Sequence, residues 1–409
     1  MHITLQDAEA LALKNHPRVL AAQDVVSAAN QRITEARAAY YPDFSGDVTG
    51  SQGNPQGRIG AGYLSASRLF DRFGQGLTLN QLISDFGRTS NLVGASRFRE
   101  NATEQDLQAT RYDVLVAVNT AYYGVLRAQA VVRVAQQTVA TRQLTVNQVT
   151  ALAQNNLRSQ LDVSLATVTL AQAQLLLIQA QNEVQRSYAE LTRTLGADQT
   201  ASYDLVEQPL PPSPTSDVEQ LVMQAIQERP ELASLRSTLQ AANRFEEAEK
   251  DLSHPSVNLL GVGGFIPYVK QETLPRVIPS EYEGVGVNIQ IPIFNGHLFS
   301  ARRQEAHYQA LEVDQRLRDR GQQIARDVRA AWASAMTGYQ RLDVTAQFLR
   351  EATLAQQLAQ GRYDLGLASI LELTQSQLNV TEAEIENLSA KYDYQGLYAT
   401  LQYMIGGLR

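Results

Sequence analysis

The chain has 409 residues, a formal net charge of −7 at pH 7 and no cysteine. The acidic balance argues against nucleic acid as a partner, because phosphate backbones are bound by basic surfaces. The absence of cysteine excludes disulfides, thiol chemistry and thiolate metal sites. We find no run of about 18 apolar residues, so the sequence predicts no transmembrane helix.

Two short helices are predicted at the start of the chain. Thr4 is a suitable N-cap for an amphipathic helix that stops near Pro17. A second helix is expected to reach about Tyr40, because Pro42 prevents its continuation. Glycines then multiply and helical periodicity disappears, which predicts a β-hairpin with strands over about 43–53 and 74–84 and a loop between them.

A long helical hairpin follows the predicted strands. Its first helix is expected from about Arg88 to Gln154, roughly 100 Å at 1.5 Å per residue. Asn155 and Asn156 interrupt it, and a second helix is expected to run from about Gln160 to 195, before Gly196. Residues in the first helix recur every three then four positions, which is typical of a coiled-coil seam. The seam comprises Leu107, Thr110, Val114, Ala117, Ala121, Gly124, Ala128, Val131 and Ala135.

The second half of the chain repeats the first. His16-Pro17 returns 213 residues later as Arg229-Pro230, and Leu195-Gly196 returns 210 residues later as Ile405-Gly406. We therefore predict two structural repeats, 1–206 and 217–409, joined by a proline-rich extended linker at 207–216. The second repeat is expected to hold a hairpin over about 256–293, with strands 256–266 and 282–293, and a helix pair over 298–405.

The predicted strands suit a membrane β-barrel. Val285, Val287, Ile289 and Ile291 fall on one face of the fourth strand, with glycine and polar residues on the other. Four strands cannot close a barrel, but four strands from each of several protomers would remove all sheet edges. Small soluble hairpins that cap a helical rod remain the alternative from alternation alone. Aromatic residues at the segment ends suit an interfacial girdle: Tyr40, Tyr41, Phe44, Phe86, Phe265, Tyr282 and Phe294.

The chain resembles the TolC-like outer membrane efflux protein family from end to end. Order, duplication and spacing make the resemblance specific, although each motif alone is weak. The motifs are Leu11-Ala12-Leu13-Lys14-Asn15-His16-Pro17, Tyr40-Tyr41-Pro42, Gln81-Leu82-Ile83-Ser84-Asp85-Phe86-Gly87-Arg88, Ile291-Pro292-Ile293-Phe294-Asn295-Gly296, Tyr363-Asp364-Leu365-Gly366-Leu367 and Ile370-Leu371-Glu372-Leu373.

The resemblance implies a mainly α protein with a transmembrane β-barrel. In a homotrimer, four strands per protomer would complete a 12-stranded barrel in the bacterial outer membrane, and long helical hairpins would form an α-barrel in the periplasm. The implied function is the exit duct of a tripartite efflux pump or type I secretion system. The implied partners are outer membrane lipid, a periplasmic adaptor and, through it, an inner-membrane transporter. No cofactor is implied, and a signal peptide is expected to have been removed.

The resemblance also places functional residues at the turns between the long helices. These turns would form the periplasmic entrance, where Leu157, Leu365, Gly366 and Leu367 are expected to contact the adaptor. Asn155-Asn156-Leu157 lacks the glycine of the second turn, so the first turn departs from the family pattern for adaptor contact. The residues expected at the gate and selectivity filter are Arg158, Asp162, Tyr363, Asp364, Glu372 and Gln375.

Glu372 is the position where the family has an acidic residue that points into the constriction. Three copies would form a carboxylate ring that attracts cations, while Gln375 replaces a second acidic position of the best-known members. Arg158, paired with Asp162 or Asp364, would substitute for a family arginine that is Ala368 here. The alternative is that Asp162 and Glu372 simply begin their helices, where negative charge suits the helix dipole.

No catalytic or metal site is predicted. The five histidines, His2, His16, His254, His297 and His307, are scattered without a nucleophile or ligand cluster and are interpreted as surface residues. Glu246, Glu247 and Glu249 are interpreted as a solvated acidic face. The second functional hypothesis is a soluble periplasmic coiled-coil adaptor or filament subunit, which would stay dispersed without detergent, as a barrel would not.

Overall fold

The structure is a computed structural model that describes residues 2–53, 71–197, 203–215, 217–269 and 281–407. Most of the predicted loop between the first two strands therefore lies outside the described residues. The elements are β1 His2–Ile3, α1 Leu5–Asn15, α2 Pro17–Arg37, β2 Asp43–Ser51, β3 Arg72–Ser84, α3 Arg88–Gln154, α4 Gln160–Thr194, β4 Asp204–Leu205, α5 Val218–Glu228, α6 Pro230–Asp251, β5 Ser256–Val269, β6 Glu281–Gln290, α7 Leu298–Asp364 and α8 Ile370–Met404.

The chain folds into two compact units, and each unit takes residues from both halves of the sequence. The first unit comprises Met1–Val25, Glu104–Ser234 and Arg318–Arg409, and the second comprises Val26–Thr103 and Leu235–Leu317. The first unit is built from helices and a two-residue parallel pair between β1 and β4. The second unit holds the other four strands and the helical segments that lead into and out of them.

The four longer strands form one antiparallel sheet in the order β2-β3-β5-β6. The central pairing of β3 with β5 joins the hairpin of the first half to the hairpin of the second. The sequence analysis predicted the two hairpins but not this pairing between them. In the described residues, the outer edges of β2 and β6 have no pairing strand. A single chain therefore presents an open sheet with two free edges.

The sheet has one apolar face and one mainly polar face. Paired residues in an antiparallel sheet share a face, and the register places Phe44 opposite Leu79, and Leu259 opposite Val287. The first face is mainly apolar and carries Phe44, Val48, Leu77, Leu79, Val257, Leu259, Val285, Val287 and Ile289, with Gln75, Gln81 and Glu283 among them. The other face carries Asp43, Ser45, Asp47, Thr49, Thr78, Asn80, Asn258 and Asn288, with Leu260 and Val262 among them. The predicted alternation is confirmed.

The predicted strand boundaries are accurate to within three residues, with one physically informative error. We expected the last strand to reach residue 293, but β6 ends at Gln290. Pro292 has no N–H to donate to a ladder and marks the end of pairing. The predicted face of that strand therefore holds for Val285, Val287 and Ile289, whereas Ile291 lies beyond the sheet.

The core of the first unit is built mainly from alanine, valine and leucine, with Tyr122, Tyr123 and Tyr392 among its buried residues. Tyr122 is fully buried, and its hydroxyl donates to a backbone carbonyl, that of Val206 at 2.7 Å or of Ile3 at 3.1 Å. It also accepts a hydrogen bond from the Val206 N–H at 2.9 Å. Tyr122 thus fastens the strand pair β1–β4 onto α3, an arrangement that the sequence did not reveal.

The linker between the repeats is held along α8. Tyr392 donates to Glu207 at 2.9 Å, and Gln395 donates to the carbonyl of Gln208 at 2.9 Å. Tyr394 donates to the carbonyl of Pro212. Prolines leave these carbonyls without a helix or sheet partner, so the α8 side chains satisfy them.

Two residues after the ends of α4 and α8, a glycine lies in the left-handed region, with φ of +69° at Gly196 and +79° at Gly406. A Cβ added to Gly196 would lie 2.8 Å from the carbonyl carbon of Asn15. A Cβ added to Gly406 would lie 3.2 Å from the Cβ of Glu228. Each glycine therefore lets a helix end pack against the backbone that precedes the repeated proline.

We expect Gly196→Ala to destabilise the first unit by about 2 kcal/mol or more, because left-handed strain and a backbone clash add together. Gly406→Ala should cost less, since its closest atom belongs to a side chain. Gly361→Ala, in α7 with open space around it, should be neutral or stabilising. Urea unfolding of the three variants checks the order, and an unchanged midpoint for Gly196→Ala would contradict this account of the glycine.

One described helix, α4, is long and apolar enough to cross a membrane, by length and composition alone. This finding corrects the expectation that the chain has no segment long and apolar enough for a transmembrane helix. Only 17% of its most apolar stretch is buried within the chain. Leu161, Val168 and Leu175 are more than half exposed and recur every seven residues, and Ile178 is exposed beside them. Such spacing is typical of a coiled-coil seam.

Candidate functional site

The two turns between the long helices have the same backbone conformation. Asn156 has φ of +59°, and Gly366, 210 residues later, has φ of +74°. The N–H of Leu157 donates to Leu152 O at 2.9 Å, and the N–H of Leu367 donates to Arg362 O at 2.8 Å. Asparagine tolerates the left-handed region better than most residues. The missing glycine therefore leaves the first turn unchanged in shape.

Both turns expose leucines to solvent. Leu157 is 69% exposed in the first turn, and Leu365 and Leu367 are 76% and 68% exposed in the second. Leu161 and Leu371, at the start of the following helices, are also exposed. Exposed apolar residues grouped at a protein surface commonly mark a contact with another protein.

The acidic residues after the two turns have different local partners. Ser159 caps α4 and receives the N–H of Asp162, whose carboxylate accepts the N–H of Ser159 at 3.0 Å. Asp162 is therefore engaged in a capping box. Ser369 caps α8 by accepting the N–H of Glu372 at 3.2 Å, but Glu372 makes no return bond to the Ser369 N–H.

Glu372 instead forms an ion pair with Arg362, whose Nε lies 3.2 Å from its carboxylate. Both side chains are largely exposed, so the pair contributes little stability. Arg362 nevertheless neutralises the charge that was expected to attract cations. Nearby, Asp364 accepts from Gln360 at 2.8 Å and Gln375 donates to Asn379 at 3.0 Å. Both are occupied by neighbours on their own helices.

Arg158 joins the first turn to the end of α7. Its Nη2 donates to the carbonyl of Tyr363 at 3.0 Å, and its guanidinium lies 4.4 Å from the centroid of the Tyr363 ring. The expected ion pair with Asp162 or Asp364 is wrong, because neither carboxylate lies within 4.0 Å of Arg158 in the described residues. A stacked guanidinium with a carbonyl acceptor replaces it.

Tyr363 belongs to the core beneath this contact. It is 4% exposed and packs in a cluster with Val149, Ala166 and Ile370. Burial raises the pKa of its hydroxyl, while the charge of Arg158 acts in the opposite direction. The hydroxyl has no hydrogen-bond partner among the described residues. Within one chain, Tyr363 therefore supports the turn from inside and does not line a surface.

Arg142 is a buried cation that sequence reasoning missed. It is 3% exposed, its guanidinium donates to Gln377 of α8, and no carboxylate in the described residues lies within ion-pair distance. Burial lowers its pKa to about 10, so it stays charged at neutral pH. The heptad seam contains the missed signal, because counting by seven from Ala135 reaches Arg142 and then the fully buried Val149.

Two other sequence interpretations are corrected by burial. His16, taken for a surface residue, is 7% exposed and accepts the N–H of Arg18 at 3.2 Å; burial lowers its pKa. Glu249, taken for part of a solvated face, is 2% exposed and lies 2.7 Å from Arg302. Each contact holds a helix end, and neither brings together a nucleophile, base and oxyanion donor.

Comparison with known proteins identifies the family. The profile of the family described as outer membrane efflux protein matches residues 10–197 and 221–407. The two matches coincide with the two halves of the duplication. The first-half match ends at the Gly196 helix stop, and the second ends at the equivalent Gly406-Gly407.

Individual relatives span nearly the whole chain. The alkaline protease secretion protein AprF of Pseudomonas aeruginosa is 27% identical, over 99% of this chain and 84% of AprF. The cation efflux system protein CusC of Escherichia coli K12 is 24% identical, over 93% of this chain and 82% of CusC. The crystal structure of the outer membrane protein VceC of Vibrio cholerae has the same fold, with a TM-score of 0.81 at 20% identity and coverage of 98% and 96%.

The open sheet, the two helical hairpins and their matched turns thus occur in a known architecture, and the predicted resemblance is confirmed. That family consists of outer membrane channels and not of enzymes. The chain belongs to the outer membrane efflux protein family and is an export channel protein of the bacterial outer membrane that extends into the periplasm.

Proposed function

We propose that three copies of the chain form the exit channel, with a shared barrel in the membrane and a gate at the two helix turns. The observation that carries the proposal is the four-stranded sheet with one apolar face and two free edges. In a bilayer, unpaired backbone groups are costly, so edges must be paired by another copy. Twelve strands from three chains would close the sheet, with the apolar face toward lipid.

Light scattering in detergent, corrected for the micelle, is expected to give three chains per particle, and the particle should conduct ions in a planar bilayer. A conducting monomer would contradict the shared barrel. A soluble adaptor or filament subunit, the second hypothesis from sequence, does not fit the family or the exposed apolar sheet face. A protein that stays dispersed without detergent would support this second hypothesis.

We further propose that the channel is a passive conduit that docks a periplasmic adaptor through its exposed leucines. The adaptor would connect it to an inner-membrane transporter, which selects the cargo. The relatives support a conduit of broad use, since AprF is named for secretion of a protease and CusC for efflux of a cation. Leu157, Leu365 and Leu367 supply the apolar docking surface, and Gly366 supplies the turn that presents two of them.

The proposed gate depends on the contacts between the two turns. Arg158 ties the first turn to Tyr363, so opening that separates the turns must break a carbonyl hydrogen bond and a cation–π contact. Asp162 and Asp364 complete the acidic surroundings of this contact. Glu372 is proposed to face the lumen, where Arg362 offsets its charge.

This pairing predicts the direction of charge selectivity. Glu372→Gln should lower cation preference and shift the channel toward anions, because three uncompensated Arg362 side chains remain. Arg362→Gln should raise cation preference, and Gln375→Glu should raise it by adding a second acidic ring. Reversal potentials in a salt gradient measure the three effects. Glu382→Gln, which removes an exposed carboxylate farther along α8, is the control, and a Glu372→Gln channel no different from it would place the filter elsewhere.

A further inference from the structure

The second unit contains a basic cavity close to the sheet. The cavity measures about 630 Å³, and it is lined by Arg37, Arg97 and Arg244 together with tyrosine, serine and asparagine side chains. No carboxylate is among its lining residues. In the described part of the chain, none of the three arginines lies within ion-pair distance of an acidic group. Three cations with no counter-charge in one cavity call for an anion.

One of these arginines is held in place by its surroundings. The stem of Arg244 crosses Gly94, whose added Cβ would lie 3.7 Å from its Cδ. Its Nη1 donates to Asn91 Oδ1 at 3.2 Å, and Asn91 donates in turn to Asp251 at 2.9 Å. A guanidinium fixed by two successive hydrogen bonds loses little freedom when it binds a ligand, which favours affinity.

The cavity lies beside the boundary between helix and strand. Tyr40 and Tyr41 line it, and β2 begins two residues later at Asp43. Arg244 precedes the end of α6 by seven residues, about 10 Å along the helix at 1.5 Å per residue. Exposed tyrosines mark the membrane–water interface in barrel proteins. In the barrel proposed above, the arginines would lie just on the periplasmic side of that interface, within reach of lipid phosphates.

We propose that this cavity binds the phosphate of an anionic phospholipid headgroup from the periplasmic leaflet of the outer membrane. Arginine guanidinium groups match phosphate oxygens with paired hydrogen bonds, and a phosphoglycerol group is small enough for the cavity. The Tyr40 and Tyr41 hydroxyls supply further donors at the interface. The proposal rests on the membrane barrel proposed above and on residues of the second unit, not on the gate or on cargo.

The test compares lipids on the intact protein purified in a zwitterionic detergent. Native mass spectrometry with added phosphatidylglycerol should show one tightly held lipid per protomer. Phosphatidylethanolamine, which has the same phosphate but no net charge, should be held more weakly. Arg97→Gln combined with Arg244→Gln should weaken phosphatidylglycerol binding about tenfold or more, since each variant removes charge-assisted hydrogen bonds.

A matched control removes two charges from the same unit outside the cavity. Arg32→Gln combined with Arg303→Gln changes exposed residues of α2 and α7 and should leave phosphatidylglycerol binding within about twofold, a bound set by the small effect of unpaired surface charges. Equal losses in both double variants would overturn the site, because they would indicate only general attraction to the membrane. Inorganic phosphate that binds as tightly as the lipid and displaces it would overturn the lipid assignment.

A second pair of variants keeps the test decisive if the glutamine variant does not fold. Arg97→Lys combined with Arg244→Lys keeps both charges but loses the paired hydrogen-bond geometry. It should fold and bind phosphatidylglycerol more weakly than the unmodified protein. Unchanged binding in this variant would show that charge alone holds the lipid and would contradict a guanidinium-built site.

Discussion

Replacing Leu175 by glutamate is expected to abolish trimer formation while each protomer keeps its helices. Leu175 is 59% exposed in the single chain and belongs to the seven-residue stripe with Leu161 and Val168 on α4. We propose that a neighbouring copy covers this stripe, since a long exposed apolar stripe is rare on an isolated protein. A charge buried in the seam would lack a partner, which costs several kcal/mol per protomer.

Blue native electrophoresis and light scattering in detergent measure this effect directly. Leu175→Met is the matched control, because it keeps an apolar side chain of similar volume at the same position and should leave the trimer intact. Circular dichroism of the glutamate variant should still show the helices, since the stripe takes no part in the protomer core. A trimer that survives Leu175→Glu would mean that α4 faces solvent or a different partner.

The second large effect is expected at Arg302. Its guanidinium lies 2.7 Å and 3.0 Å from the two carboxylate oxygens of Glu249, which is 2% exposed, while Arg88 lies farther away at 4.0 Å. Arg302→Met would leave a buried carboxylate with only the distant cation. The Arg302 side chain is 43% exposed, so water screens part of the pair, and we expect the uncompensated buried carboxylate to cost about 2 kcal/mol. Local unfolding of the helices in the second unit should therefore become more frequent.

Hydrogen exchange of the α6 amides measures that opening, because it reports local stability in a protein of two units. Glu249→Gln combined with Arg302→Met should recover most of the loss, since the buried charge is then gone together with its partner. Arg303→Gln, one position along α7, controls for loss of a surface charge and should have little effect. Equal protection in Arg302→Met and Arg303→Gln would mean that the ion pair does not stabilise α6.

Local chemistry was enough to predict the helices, because their signals lie within a few residues. Proline marks the end of α1, glycine follows the ends of α4 and α8, and Thr4 caps the start of α1 as predicted. The exact bounds of α3 follow from the unbroken run between Arg88 and Gln154. Duplication then transfers each assignment to the second half.

Burial was harder to predict, because it depends on what packs against a residue from far along the chain. In the sequence, Glu249 is one of three glutamates on a polar helix. Only the fold shows that it is buried beside Arg302 and Arg88. Arg142 is a charged residue within the apolar seam of α3, and its guanidinium donates a hydrogen bond to Gln377 of α8. The predicted partner of Arg158 was also wrong. The sequence suggested an ion pair with Asp162 or Asp364, whereas in the fold Arg158 contacts the ring and the carbonyl of Tyr363.

The sequence by itself determined the repeated helices, the four strands with their alternating faces and the family. Each of these rests on periodicity or on backbone-specific residues, which act locally. The tertiary structure alone decided that the two hairpins join into one sheet through β3 and β5. It also decided that Glu372 is neutralised by Arg362, and that three arginines without an acidic partner among the described residues share one cavity. Such charge relations require residues from separate elements to meet, and no local pattern specifies which of them do.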